Sequence, residues 1–101
     1  MGFGMAEVVY FKRLAASGQV GDAGKAIDIV GYTIKSGSTA ALPYFINGSS
    51  TGSIAWQDQA RATSAEQSIS LAYRIRLDQG CYVSFDANTT AVTVFYQQML
   101  T

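Results

Sequence analysis

Between Gln67 and Gln97 apolar side chains recur on alternate positions through three successive runs, and this period of two constrains the chain most. In the first run Ile69, Leu71, Tyr73, Ile75 and Leu77 alternate with Ser68, Ser70, Ala72, Arg74 and Arg76. Asp78-Gln79-Gly80 interrupts the pattern, and then Cys81, Val83 and Phe85 oppose Tyr82, Ser84 and Asp86. After Ala87-Asn88-Thr89-Thr90 the third run carries Val92, Val94 and Tyr96. Successive side chains of a strand point to opposite faces, so each run predicts a strand with one buried face. A small all-β domain commits its regular positions to packing, which leaves loops, edges and outer faces for function.

Further strands are readable upstream. Val8, Val9, Tyr10 and Phe11 make Glu7 to Ala16 a first strand. It is apolar in both phases, so it is either buried on both sides or clamped between subunits. Residues 17–24 hold three glycines without hydrophobic periodicity and read as a loop. Lys25 to Lys35 is a second strand. Its apolar phase passes from Ile27 and Ile29 to Val30, Tyr32 and Ile34 around Gly31, the sign of a β-bulge. A third, Ala41 to Ile46, contains Pro43, whose missing amide hydrogen suits an edge strand or a strand's first residues.

Asn47-Gly48 predicts a tight hairpin with positive φ, and Ser53 to Gln57 a short fourth strand carrying Trp56. Asp58 to Gln67 shows no apolar stripe and reads as a loop, with room for one helical turn capped by Asp58. Seven short strands at intervals of roughly ten residues predict an all-β fold, an antiparallel β-sandwich or jelly roll. At 101 residues the chain makes a single domain over 1–101.

Composition narrows the chemistry. Seven Lys and Arg balance seven Asp and Glu, so no electrostatic footprint for nucleic acid or an anionic membrane is written in the sequence. Histidine is absent, which removes the commonest general base and metal ligand together. No two of the carboxylates share a strand face at neighbouring positions, and Asp22, Asp58 and Asp78 fall in turns, where Asp bonds backbone amides. The lone Cys81 lies on the apolar side of its strand and reads as a small buried hydrophobe. The glycines at 18, 21 and 24 lack the strand–loop–helix context of a phosphate cradle. These readings predict a non-enzymatic chain without catalytic residues, cofactor or metal. The start shows no charged region leading into an apolar run, so no signal peptide is expected. No apolar run approaches the ~18 residues of a membrane-spanning helix.

Aromatic residues make up 12% of the chain and supply the candidate contact surface. On strand phase Tyr73, Phe85 and Tyr96 belong inward. Tyr82 and Phe95 then fall on the opposite face beside Arg74 and Arg76. Aromatics mixed with Arg on an outer face are typical of protein–protein interfaces, although loops covering that face would account for them as well. Trp56 with Tyr44 offers a second option, a platform for stacking a sugar.

The stretch Gly31-Tyr-Thr-Ile-Lys-Ser-Gly-Ser-Thr-Ala-Ala-Leu-Pro-Tyr-Phe-Ile-Asn-Gly-Ser-Ser-Thr-Gly-Ser-Ile-Ala resembles a pattern recurrent in small structural proteins of tailed-phage virions. There a strand, a Gly-Ser-Thr turn and a strand ending in Asp/Asn-Gly-Ser precede a short strand. Gly80-Cys-Tyr-Val-Ser-Phe-Asp-Ala-Asn-Thr-Thr-Ala-Val-Thr-Val-Phe-Tyr is similar to their Gly-Leu-Tyr-Val and Val-Thr-Val-Tyr-Tyr endings. The resemblance covers roughly residues 14–97. Pro43 and Cys81, the latter standing where an aliphatic residue is usual, depart from it. It implies a jelly-roll-like sandwich that forms a homotrimer and binds the major capsid protein, or another virion protein, as a decoration or cement protein. The chain would then be made in the host cytoplasm and end on the capsid exterior. An N-terminal arm, Met1 to Phe11, would reach a neighbour or the capsid, with Tyr10, Phe11, Arg74, Arg76, Tyr82 and Phe95 as contact residues. The glycan-binding alternative places the chain in a tail or fibre.

Overall fold

The computed structural model describes residues 8–61 and 66–98. Among them eight strands form: Tyr10–Leu14 (β1), Gly18–Val20 (β2), Ile27–Ser36 (β3), Tyr44–Asn47 (β4), Ser53–Gln57 (β5), Glu66–Leu77 (β6), Cys81–Ser84 (β7) and Thr89–Gln98 (β8). They build two four-stranded antiparallel sheets, β1-β8-β3-β6 (sheet I) and β2-β7-β4-β5 (sheet II). The ladders β1·β8, β2·β7, β3·β6 and β4·β5 nest one inside the next along the chain. An antiparallel ribbon of nested pairs, rolled over into two facing sheets, is a jelly roll. The expected all-β sandwich is therefore present.

Alternation explains the core. On β8, Val92 and Val94 point inward, and on β7, Cys81 and Val83 do; all four are fully buried. They meet Ile27, Ile29 and Ile34 of β3 and Phe45 of β4. At one end of the core Phe45 stacks on Trp56 with ring centroids 4.5 Å apart and planes 6° from parallel. Tyr32 packs on Phe45 at 4.7 Å, so sheets I and II interlock through three rings. The same ring carries a polar clasp: Trp56 Nε1 donates to Tyr32 Oη at 3.4 Å, and Tyr32 Oη donates to Asp58 Oδ2 at 2.6 Å. Burial first, then the Asp58 carboxylate, pushes the Tyr32 hydroxyl up to about 12, so it stays a donor. No buried side-chain nitrogen or oxygen among the described residues lacks a partner.

The bulge expected at Gly31 is real and larger than one residue. Ile29 pairs with Ile75 and Gly31 with Ser70, so Val30 alone faces the four residues Leu71 to Arg74 of β6. A Cβ on Gly31 would stand 2.8 Å from Ile69 O, which explains the glycine: β6 backbone passes too close for any side chain. The slip also corrects the inward placement of Tyr73. Thrown out by the bulge, that residue is 87% exposed. Phe85 and Tyr96 do pack against the core, as phase predicts.

Other expectations shift locally. The glycine-rich stretch read as a loop contains β2, in which Gly18, Gln19 and Val20 pair with Val83, Tyr82 and Cys81. Pro43 stands just before β4, which is an interior strand between β7 and β5. The missing donor costs nothing there, and the Pro43 carbonyl accepts from Asp58 N at 3.3 Å. Ala41 and Ala60 exchange a pair of backbone bonds, so the described part of the loop after β5 runs extended; residues 62–65 of the expected helical turn lie outside the described residues. Asn47-Gly48 begins a five-residue loop rather than a two-residue hairpin. Gly48 takes φ +113°, and Asn47 Oδ1 accepts from Gln79 N at 3.0 Å, which ties this loop to the β6–β7 turn.

Candidate interaction surfaces

Most of the expected contact residues reach the outside, but they do not form one face. Phe11 and Phe95 are cross-strand partners on the outer face of sheet I, with ring centroids 6.3 Å apart. Tyr10 faces Tyr96 one position away on the other side of the same ribbon, at 5.8 Å. Tyr82 belongs to β7 and therefore to the outer face of sheet II. Strand phase turns it outward correctly, but its sheet lies across the sandwich from Phe95, Arg74 and Arg76. The expected single cluster is thus two surfaces.

The arginines have internal commitments. Arg76 donates from Nε to Asp28 Oδ1 at 2.7 Å and from Nη2 to Asp28 Oδ2 at 3.0 Å, a two-point clasp between β6 and β3 just below the bulge. The hydrogen-bonded Arg76 guanidinium outweighs burial and holds the Asp28 carboxyl below its usual range, with the charge of Arg74 adding to the effect. Arg76 is raised by the same partner. A second ion pair, Arg13 Nη1 to Glu66 Oε1 at 2.6 Å, connects β1 and β6, the two edge strands of sheet I. Arg13 pairs with Thr93 and Glu66 with Lys35, so the bridge crosses the outer face above β8 and β3.

Beside that bridge the outer face of sheet I sinks into a groove of about 390 Å³. Gly31, Thr33 and Ser70 form part of its floor, and Val9, Val30 and Phe95 part of its apolar wall. The groove lies at the bulge, where β3 and β6 lose register around Gly31. At its rim the chain from Val8 to Phe11 is exposed in both phases: Val8 56%, Val9 50%, Tyr10 42% and Phe11 70%. This corrects one branch of the sequence expectation, since β1 is not buried on both sides. The described portion of the expected arm, Val8 to Phe11, runs along the free edge of sheet I, and residues 1–7 lie outside the described residues.

Sheet II presents a smaller apolar surface. Tyr44, Ile54 and Tyr82 face outward around the buried Ile46, with Ile54 61% exposed. Trp56 pairs with Phe45 and lies in the inward phase, whereas Tyr44 is outward. The anticipated Trp56–Tyr44 platform therefore does not exist, because adjacent strand positions face opposite ways. A second hollow, about 290 Å³, lies among the loops at one end of the sandwich. Asn47, Gly48, Ser49, Thr51 and Gln79 are among its lining groups, which are polar but uncharged.

Cys81 is fully buried, and burial pushes its thiol up to about 12, as suits a core residue rather than a nucleophile. Asp86 accepts from Leu42 N at 3.1 Å and from the Thr89 hydroxyl. Burial opposes its ionisation, but these bonds prevail and hold its carboxyl below the usual range. It works as a turn anchor between β7 and β8. Among the described residues no group of three or more Cys, Asp and Glu gathers where it could hold a metal ion. Compared with protein-family models, curated proteins and solved structures, the chain finds no match.

Proposed function

We propose that this chain is a non-enzymatic structural component of a virion, a capsid decoration protein that assembles as a homotrimer and sits on the capsid exterior. The observation that carries this reading is the exposed apolar strip from Val8 to Phe11, continuous with the Val9–Phe95 groove on the outer face of sheet I. A chain with so few charges keeps such a strip in water at a cost, and contiguous exposed apolar surface marks contact sites. Two supports stand beside it. The motifs around Gly31 and Gly80 resemble those of small tailed-phage virion proteins, and jelly rolls serve as viral capsid domains, an analogy at the level of fold.

Jelly rolls also serve as lectin domains, and a glycan-binding module of a tail or fibre is the second reading. It is favoured by the uncharged polar hollow of Asn47, Ser49, Thr51 and Gln79, a lining suited to sugar hydroxyls. One experiment separates the two: co-sedimentation of the purified protein with undecorated phage capsids, run beside a glycan array. Saturable capsid binding by an oligomer supports the decoration reading. A stable monomer that ignores capsids defeats it, and array binding lost on Gln79→Ala would transfer the assignment to the glycan reading.

A further inference from the structure

We infer that the β1 edge, from Val8 to Phe11, is where one copy of this chain seats against another. The inference deepens the preceding reading by naming the partner of that edge, and it stands on geometry that holds whether or not the host surface is a capsid.

Two features converge on the edge. Among the described residues β1 pairs only with β8, so its other side presents backbone donors and acceptors along Tyr10–Leu14. Open edges are templates for further strand pairing, and proteins that keep them free blunt them with charge, bulges or Pro. The other edge of sheet I is blunted, since the four-residue bulge of β6 and its Arg74 and Arg76 interrupt it. On β1 the two charges, Lys12 and Arg13, sit at the far end, and Arg13 is already neutralised by Glu66. The run that leads into the strand and opens it, Val8-Val9-Tyr10-Phe11, has neither charge nor Pro, and the β1·β8 register from Tyr10 on is free of a bulge.

Area then decides the kind of occupant. The exposed parts of these four residues amount to roughly 400 Å², most of it apolar, within the size of patch that on a monomer is often functional. Two copies contributing equally would bury ~800 Å² from these residues alone, and the β1 backbone and neighbouring side chains covered by the same contact bring the total towards the ~1,200 Å² at the lower end of stable association. A second copy also meets no long-range repulsion, because the chain's formal net charge is zero.

The test is the molar mass of the full chain by light scattering and sedimentation at micromolar concentration. Wild type is compared with Phe11→Lys and, independently, Val8→Lys, and with Ile54→Lys on sheet II as control. Phe11 of β1 and Val8, just ahead of it, are both more than half exposed, so the fold should survive, as circular dichroism and thermal melting would verify. The expected result is an oligomer in the wild type and in Ile54→Lys, weakened at least ~30-fold by either β1 variant, the loss typical of an anchoring residue. A monomeric wild type overturns the inference. So does an oligomer indifferent to both β1 variants, even one that binds capsids, because the edge would then serve another partner. Loss of capsid binding with the oligomer intact likewise defeats this assignment while leaving the decoration reading in place.

Discussion

Replacing Tyr32 by Phe removes one oxygen and leaves the ring that joins the two sheets, so it isolates the polar clasp from the aromatic packing. The ring's neighbours, Phe45 at 4.7 Å and Trp56 at 6.2 Å, are retained. Two bonds are lost. The one to Asp58, at 2.6 Å, is to a carboxylate and in the class that contributes ~1.5–3 kcal/mol; the one from Trp56, at 3.4 Å, is long and belongs near the ~0.5 kcal/mol floor of neutral bonds. Asp58 is half-exposed and regains part of its loss from water. We expect a net destabilisation of about 2 kcal/mol, readable as a urea midpoint lower by on the order of 1 M.

Titration gives the same substitution a signature that lost packing could not imitate. The hydroxyl is raised to about 12 in the fold, chiefly by burial, against about 10 for an ordinary tyrosine. The folded chain therefore holds this proton after the unfolded chain has released it. Its contribution is complete below pH 10 and is lost as pH rises towards 12. Every other group titrates alike in the two proteins and cancels. Urea unfolding of both across that range should show the gap between wild type and Tyr32→Phe closing as pH climbs. A gap under ~0.5 kcal/mol at neutral pH would refute the clasp, as would one that stays constant through the window.

Two other predictions follow from single contacts. Gly31→Ala places a Cβ 2.8 Å from Ile69 O and must push β6 backbone aside. Overpacking costs ~1–3 kcal/mol and the relieved glycine entropy offsets ~0.5–1, so stability should fall by about 1–2 kcal/mol. Thermal melting would show it, and a raised midpoint would contradict the bulge geometry. Cys81, fully buried and with its thiol at about 12, should resist thiol reagents at neutral pH until the protein unfolds. Labelling of the native protein at the rate of a free thiol would sink that account.

What the sequence made legible was governed by range. Alternation on β7 and β8 is local, and the inward turns of Val83, Val92 and Val94 followed from it directly. Gly31 announced its bulge because a phase change beside a glycine is also local. How far β6 slips there depends on a strand some forty positions away, and Tyr73 was misplaced for that reason. Strand phase turns Tyr82 outward, but no local signal states that β7 joins sheet II, across the sandwich from Phe95. β2 escaped detection because three residues, one of them glycine, are too short for a period to show; Val20 alone hinted at it. The groove could not be read at all. It exists only where Gly31, Val9 and Phe95, from three separate strands or their flanks, come together.

The nested ladders also carry a consequence for the order of events during synthesis. β4 and β5 can meet as soon as both are made, but Tyr10 must wait until its partner Tyr96 has been translated. At about 5–20 residues per second that interval is on the order of 4–17 s. For all of it β1 is a strand without a sheet, and the apolar run Val8, Val9, Tyr10 and Phe11 waits in water for the strand that will flank it.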